Sequence, residues 1–172
     1  MYKKTFTITI YSEVAENSEE EQQFINDMQS RVDTMAAHNY SNTVEELLNI
    51  LNNFNNVARL AFVFDSVYMH DTKIFINSSP FFTNEDLQCS DINSLSKGFK
   101  LLVDVINRLN IKNVDFLACN SLNYYNWIIF YNKLTEFTGT IIGASNNETG
   151  NLKYGGDWIL ESTGKDVELI YF

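Results

Sequence analysis

The sequence predicts an α/β fold, a sandwich with a mainly parallel central sheet flanked by helices. Helical repeats of apolar residues alternate along the chain with short, nearly continuous apolar runs at 60–64 and 113–118. Such runs are typical of strands buried on both faces, and alternating strands and helices are typical of parallel sheets. No linker or repeat divides the 172 residues, so we expect a single domain over 1–172.

The first half of the chain predicts three strands and two helices. Residues 2–11 alternate apolar side chains with threonine, which is a strand pattern. Capping boxes at 18–21 and 43–46 each begin a helix, and the first helix carries its apolar stripe as far as Met35. Residues 60–64 and 73–77 are predicted strands, and Ser79-Pro80 ends the second of them.

The second half continues the alternation. A helix begins at Ser94 or Ser96 and is followed by a strand at 113–118, an apolar helix at 124–137 and a strand at 140–145. Gly139 is typical of the residue that closes a helix. After a polar loop at 146–156, residues 158–162 and 167–172 are predicted to form a C-terminal β-hairpin.

The charge balance excludes two classes of partner. Twenty-two acidic residues against twelve basic ones give a formal net charge of −10. Nucleic acid and anionic membranes are recognised by clustered Lys and Arg, so we expect neither as a partner. The remaining expectation is a protein or peptide partner, and the oligomeric state stays open.

The cysteine count predicts the compartment and the absence of a metal. Cys89 and Cys119 are too few for a disulfide framework, and neither lies in a zinc-binding pair with the two histidines. No phosphate, dinucleotide or metalloprotease motif is present, so we expect no cofactor. The N-terminus has a strand pattern rather than that of a secretion signal. These features predict a reduced, intracellular (cytoplasmic) protein, with a virion as the alternative location.

Cys119 is the main candidate for chemistry. It directly follows the strand predicted at 113–118, so its thiol would lie at the carboxyl end of a parallel strand, where sites form. The start of the next helix would favour a thiolate there. The competing interpretation is a buried, unreactive cysteine, which is common for this residue type.

The base for such a nucleophile is less well defined. His70 precedes Cys119 by 49 positions, close to the separation of about 50 in one group of cysteine proteases. It is equally well interpreted as an exposed turn residue, and His38 is predicted to lie in a surface loop. Asp115 and Asp157 have no predicted partner.

A series of motifs in the last third of the chain resembles the DUF4347 family. The motifs are 116–120 (FLACN), 134–139 (LTEFTG), 143–145 (GAS), 149–150 (TG) and 155–161 (GGDWILE). The resemblance is strongest over 113–161. It extends to 60–109 in layout only, and the first fifty residues add nothing to it.

The resemblance implies a three-layer, caspase-like fold of the clan CD cysteine peptidases. It places a histidine after one strand and a cysteine, here Cys119, after the next, with Asn120 and Ser145 as neighbours. Family members carry a serine-histidine-glycine turn after the strand that is 60–64 here. This chain has Asp65 and Ser66 there, and an anionic Asp65 cannot act as the imidazole base. His70 takes the histidine's place only if the strand continues through 67–69.

Three functions follow as hypotheses. The first is a catalytically degenerate caspase-like domain that acts as a binding or structural module. The second is an active cysteine peptidase that uses Cys119 with His70. The third is a virion or assembly component, favoured only by an asparagine-rich composition typical of AT-rich genomes.

Overall fold

A computed structural model describes residues 6–12, 19–31, 34–38, 44–63, 74–76, 79–150 and 152–172, and the structural statements that follow concern these residues. They contain nine strands: β1 Phe6–Ser12, β2 Thr34–His38, β3 Val57–Val63, β4 Ile74–Ile76, β5 Ser79–Phe82, β6 Asn113–Leu117, β7 Ile141–Gly143, β8 Ile159–Leu160 and β9 Lys165–Asp166. Five of them form one sheet in the order β2-β1-β3-β6-β7, and every neighbouring pair is parallel. The predicted α/β class and mainly parallel sheet are confirmed.

Helices flank this sheet. They are α1 Glu19–Arg31, α2 Val44–Asn49, α3 Asn84–Leu87, α4 Lys97–Leu109, α5 Tyr125–Thr138 and α6 Glu168–Tyr171. Short 3₁₀ turns lie at Ile50–Asn53, Ile92–Ser94, Ser121–Asn123 and Leu152–Tyr154. None of the helices in the described part of the chain is long and apolar enough to cross a membrane.

The alternation of side chains along the central strands divides the core into two layers. On one face, Phe62 of β3 and Phe116 of β6 stack at 5.4 Å and join the larger apolar cluster with α2, α4 and α5. On the other face, Ala61 and Leu117 pack with Met28 of α1 and Tyr171 of α6. Because neighbouring residues of a strand point to opposite faces, one parallel sheet supports helices on both sides.

The second strand of the sheet was not predicted, and the end of the preceding helix was placed wrongly. Helix α1 ends at Arg31, and Met35 lies in β2, which pairs with β1 from Ile8↔Thr34 to Ser12↔His38. His38 therefore ends an edge strand rather than lying in a loop. Backbone pairing to β1 decides the conformation of a segment whose apolar spacing also fits a helix. The first residues of both predicted capping boxes, Ser18 and Thr43, lie outside the described residues.

The strand predicted at 73–77 is β4, and it ends before Ser79 as expected. A strand that the sequence does not predict follows it, because β5 pairs antiparallel with β4 as a separate hairpin whose free edges tolerate proline. The second strand of the predicted C-terminal hairpin is helix α6, which buries Val167 and Tyr171, four residues apart, against the sheet. The antiparallel pairing that does occur there is the two-residue ladder of β8 and β9.

A buried polar cluster ties the sheet to the C-terminal helix. The Asp115 carboxylate, in β6 and 2% exposed, accepts hydrogen bonds from the Arg59 guanidinium of β3 and from the Tyr171 hydroxyl. Asp115 was predicted to have no partner, and that prediction was wrong. The sequence pattern shows only one acid within an apolar strand, whereas both partners come from elements far away in the chain.

Small neighbours make room for this cluster. In the sheet register Asp115 stands between Ala61 of β3 and Gly143 of β7. A Cβ atom on Gly143 would lie 2.2 Å from Asp115 Oδ1 and 2.6 Å from Leu160 Cδ1. Position 143 therefore has room only for glycine.

Burial also sets the ionisation of the cluster. It raises the pKa of the Asp115 carboxyl, and the attraction and hydrogen bonds of Arg59 and Tyr171 oppose this effect without cancelling it. Burial raises the pKa of the Tyr171 hydroxyl well above its ordinary value, and the neighbouring carboxylate raises it further. A phenolate at Tyr171 would place two negative charges side by side in the core.

We expect Gly143→Ala to lower the free energy of unfolding by about 3 kcal/mol, because the added methyl group overlaps Asp115. Gly139→Ala is the control: Gly139 has a φ of 70°, but a Cβ there meets nothing within 4 Å. Its strain should cost only about 1 kcal/mol. Urea unfolding of both variants measures the difference, and equal costs would show that the contact with Asp115 is not tight.

The Tyr171 hydroxyl should make the fold sensitive to alkali. Because its pKa is raised in the folded state, its contribution is fully present below about pH 10 and is lost as the pH rises further. Above pH 10 we expect Tyr171→Phe to reduce the loss of unfolding free energy by about 1.4 kcal/mol per pH unit. Tyr125→Phe, which removes the hydroxyl of a side chain that is 70% exposed, is the matched control. Identical slopes in all three proteins would contradict a buried phenol at Tyr171.

Candidate functional site

Three of the predicted site residues lie together beyond the carboxyl ends of β6 and β7. Cys119 and Asn120 follow β6 after one residue, and Ser145 follows β7 after one residue. A backbone hydrogen bond joins the segment after β6 to the segment after β7, because the Leu122 amide donates to the Ser145 carbonyl at 3.0 Å. The other predicted residues, Asp65, Ser66 and His70, lie outside the described residues.

The Cys119 thiol is half-buried and faces a carbonyl group. Its Sγ atom lies 3.8 Å from the backbone oxygen of Thr149, to which it donates a weak hydrogen bond. A carbonyl oxygen accepts a hydrogen bond but supplies no positive charge. A nucleophilic thiolate needs a nearby cation, a helix N-terminus or a base. The Thr149 carbonyl that the Cys119 thiol contacts is none of these activating groups.

The chain turns sharply directly after Cys119. Asn120 adopts a left-handed conformation with φ 61°, and the 3₁₀ turn at Ser121–Asn123 leads into α5. Ser121 is fully buried, and its hydroxyl accepts a hydrogen bond from Tyr131 at 2.8 Å. Burial raises the pKa of Tyr131, so this hydroxyl stays a donor. The turn is thus fixed to the body of α5.

A second segment, residues 145–150, lies along this turn, and we call it the strap. The Asn120 amide donates to the Asn147 carbonyl at 2.8 Å. The Thr149 hydroxyl donates to the Ala118 carbonyl at 3.5 Å. Together with the bond from Leu122 to Ser145, the paired positions are 118 with 149, 120 with 147 and 122 with 145. The residue number therefore rises by two along one segment while it falls by two along the other. The strap therefore runs antiparallel to residues 118–122.

Side-chain hydrogen bonds, within the strap and to Asp157 and Glu161, hold the strap in place. The Asn147 Oδ1 atom accepts from the Ser145 hydroxyl at 2.7 Å, and its Nδ2 atom donates to Asp157 Oδ2 at 2.9 Å. Glu161 Oε2 accepts the Asn146 amide at 3.0 Å and lies 2.7 Å from the Ser145 hydroxyl. Asp157 was predicted to have no partner, and that prediction was wrong.

Backbone contacts close the far end of the strap. The Gly150 amide donates to the Asp157 carbonyl at 2.9 Å, and the Asp157 amide donates to the Glu148 carbonyl at 3.0 Å. A Cβ atom on Gly156 would lie 2.8 Å from the Gly150 nitrogen, so the two glycines allow the backbones to touch. This close approach accounts for Gly156 of the 155–161 motif, and the bond from Asn147 Nδ2 gives its aspartate a role.

Sequence reasoning missed Thr149, whose carbonyl contacts the Cys119 thiol, and Asn147, whose carbonyl contacts the next residue, Asn120. Both belong to the loop at 146–156, whose polar composition predicts a turn but not its pairing with residues 118–122. The only available signal was the spacing of Gly150 and Gly156 around a polar stretch. Such spacing fits a close backbone approach without revealing what is approached.

The described residues contain no group of three or more His, Cys, Asp or Glu side chains placed to hold a metal ion. The polar atoms of the strap instead bind one another, residues 118–122, Asp157 and Glu161. Within this part of the chain, the arrangement around Cys119 is a self-contained hydrogen-bonded loop.

Comparison with known proteins assigns a family. The family model described as "Domain of unknown function (DUF4347)" matches residues 14–172, which is nearly the whole chain and far more than the 113–161 region of the sequence resemblance. Searches of curated proteins and of solved structures give no match. With the match spanning strands and helices on both sides of the sheet, the chain belongs to the DUF4347 family.

Proposed function

We propose that this chain is a caspase-like α/β domain that has lost catalysis and acts as a binding or structural module for a protein or peptide. The parallel sheet supports the fold assignment. Strands β3 and β6 are hydrogen-bonded neighbours, and Cys119 follows the second of them. In the caspase-like arrangement the histidine follows one such strand and the cysteine follows the next.

The contact between Cys119 and the Thr149 carbonyl carries the proposal. The thiol donates to this oxygen at 3.8 Å, and the amides of Asn120 and Leu122 are bonded to strap carbonyls. A peptidase needs an activated thiol, and it needs free donors where the substrate oxygen becomes negative. Here the strap engages the thiol and both of these amides.

The sequence after β3 supports the same conclusion. Asp65 stands where the resemblance places the histidine, and an anion there would disfavour a thiolate at Cys119. A module needs no thiolate, so it tolerates this replacement.

An active peptidase is the second candidate. It is favoured by the position of Cys119 at the carboxyl end of β6, half-exposed and directly before a turn into a helix. Its base would be His70, which lies in the sequence after β3.

The two functions differ in the reactivity of Cys119, and the chain carries its own reference thiol. Cys89 is also half-buried, and its Sγ atom also donates to a backbone carbonyl, that of Asp91 at 3.2 Å. Cys89→Ser and Cys119→Ser give proteins with a single thiol each. Both are treated at pH 7 with iodoacetamide and with a peptide-based electrophile, and labelling is followed by mass spectrometry.

For a module we expect the two thiols to react with either reagent at rates within about tenfold of each other, since each thiol donates to a backbone carbonyl within the described residues. We also expect His70→Ala to leave the labelling of Cys119 unchanged. Labelling of Cys119 by the peptide electrophile that is about 100-fold faster than that of Cys89, and that is lost in His70→Ala, would establish the peptidase instead.

A further inference from the structure

The strap is bonded in the manner of a bound peptide, although it belongs to the same chain. Carbonyl groups of three alternate residues, Ser145, Asn147 and Thr149, face residues 119–122. They accept in turn from the Leu122 amide, the Asn120 amide and the Cys119 thiol, at 3.0, 2.8 and 3.8 Å. Alternation by two is the repeat of an extended chain, and main-chain bonds of this kind are how extended peptides add to a protein.

We propose that the edge formed by residues 118–122 is a binding site for an extended peptide, and that the strap occupies this site in cis until a partner replaces it. The inference rests on the proposed function, because it gives the module a defined contact surface. The ligand is specified by its backbone: three alternate carbonyl groups presented in the antiparallel sense.

The way the strap is attached allows it to detach from residues 118–122 without unfolding of the whole domain. The strap ends at a glycine, Gly150, and five residues further on Gly155 adopts a left-handed φ of 92°. Asn146 and Glu148 on the strap are exposed, so its closed state depends on hydrogen bonds more than on apolar burial. Segments with few buried apolar contacts are the ones that open below the free energy of global unfolding.

The closed strap would also set the affinity for the partner. Only the open fraction of molecules is competent to bind, so the apparent dissociation constant rises as the strap closes more firmly. The side chain of Asn147 bonds Asp157 outside the strap and Ser145 within it, so its removal should loosen the strap and makes it a position to change.

The test compares Asn147→Ala with Asn146→Ala, both made in the Cys89-containing wild-type chain. Asn146 is the matched control because it is adjacent and exposed, and its bonds to described residues come from its backbone. We expect iodoacetamide to label Cys119 about tenfold faster in Asn147→Ala and at the wild-type rate in Asn146→Ala. Cys89, measured in the same samples, should keep its rate and thereby report an intact fold.

A synthetic peptide then tests the ligand class. The peptide Ala-Ser-Asn-Asn-Glu-Thr-Gly reproduces residues 144–150 and is added at millimolar concentration to Asn147→Ala. We expect it to return the labelling of Cys119 toward the wild-type rate. A scrambled peptide presents the same backbone carbonyl groups and should do so to a similar extent, whereas an equimolar mixture of the free amino acids should not. Equal behaviour of the peptide and of the amino-acid mixture would overturn the assignment of an extended peptide.

Wild-type protein supplies a measurement that does not depend on the variants folding. In amide exchange under native conditions, the Asn120 and Leu122 amides should exchange about tenfold or more faster than the amides of β6, through opening of the strap alone. If these two amides exchange at the β6 rate, or if Cys119 labelling is unchanged in a folded Asn147→Ala, the proposal that the strap opens is overturned. Either result leaves the module proposal standing, since that proposal fails only through histidine-dependent labelling of Cys119.

Discussion

The hydrogen-bonded ion pair between Arg59 and Asp115, completed by the Tyr171 hydroxyl, is the constraint on which the described fold depends. It joins β3, β6 and the C-terminal helix α6 in a place that is nearly closed to water. A buried charge is tolerated only when its partners are in place, and removal of one partner typically costs about 3–5 kcal/mol. The pair therefore links the neighbouring strands β3 and β6, and it leaves room only for glycine at position 143 beside Asp115.

The position of Cys119 follows from this constraint. Asp115 fixes the register of β6 between β3 and β7, and the chain leaves β6 only two residues before the thiol. Segment 145–150 leaves β7 at the same edge of the sheet and is laid beside the turn after Cys119. Two parallel strands whose carboxyl ends lie side by side thus bring the thiol and the Thr149 carbonyl together.

Much of the sheet could be predicted from the sequence because its central strands are buried on both faces and leave continuous apolar runs, as at 60–64 and 113–118. The edge strand β2 could not, since its five residues owe their conformation to pairing with β1. The sequence predicts a strand where helix α6 lies, because local pattern does not show that the sheet buries Val167 and Tyr171.

The candidate site divides in the same way. Cys119, Asn120 and Ser145 could be placed near one another because they end neighbouring parallel strands. The partners that define the chemistry of the thiol could not, since Thr149 and Asn147 act through a backbone carbonyl and an amide that have no sequence motif of their own. The roles of Arg59 and Tyr171 were equally hidden, because each is paired with a residue 56 positions away.

The central claim, that Cys119 has no catalytic base, is tested most directly by NMR titration of the His70 imidazole in the wild type and in Cys119→Ser, with His38 as the reference in the same spectra. A thiolate within hydrogen-bonding reach would titrate as a coupled pair with the imidazole, so its removal would displace the His70 curve. We expect the two His70 curves to superimpose. A displacement of about half a pH unit or more, with His38 unmoved, would contradict the claim and identify a thiolate–imidazolium pair.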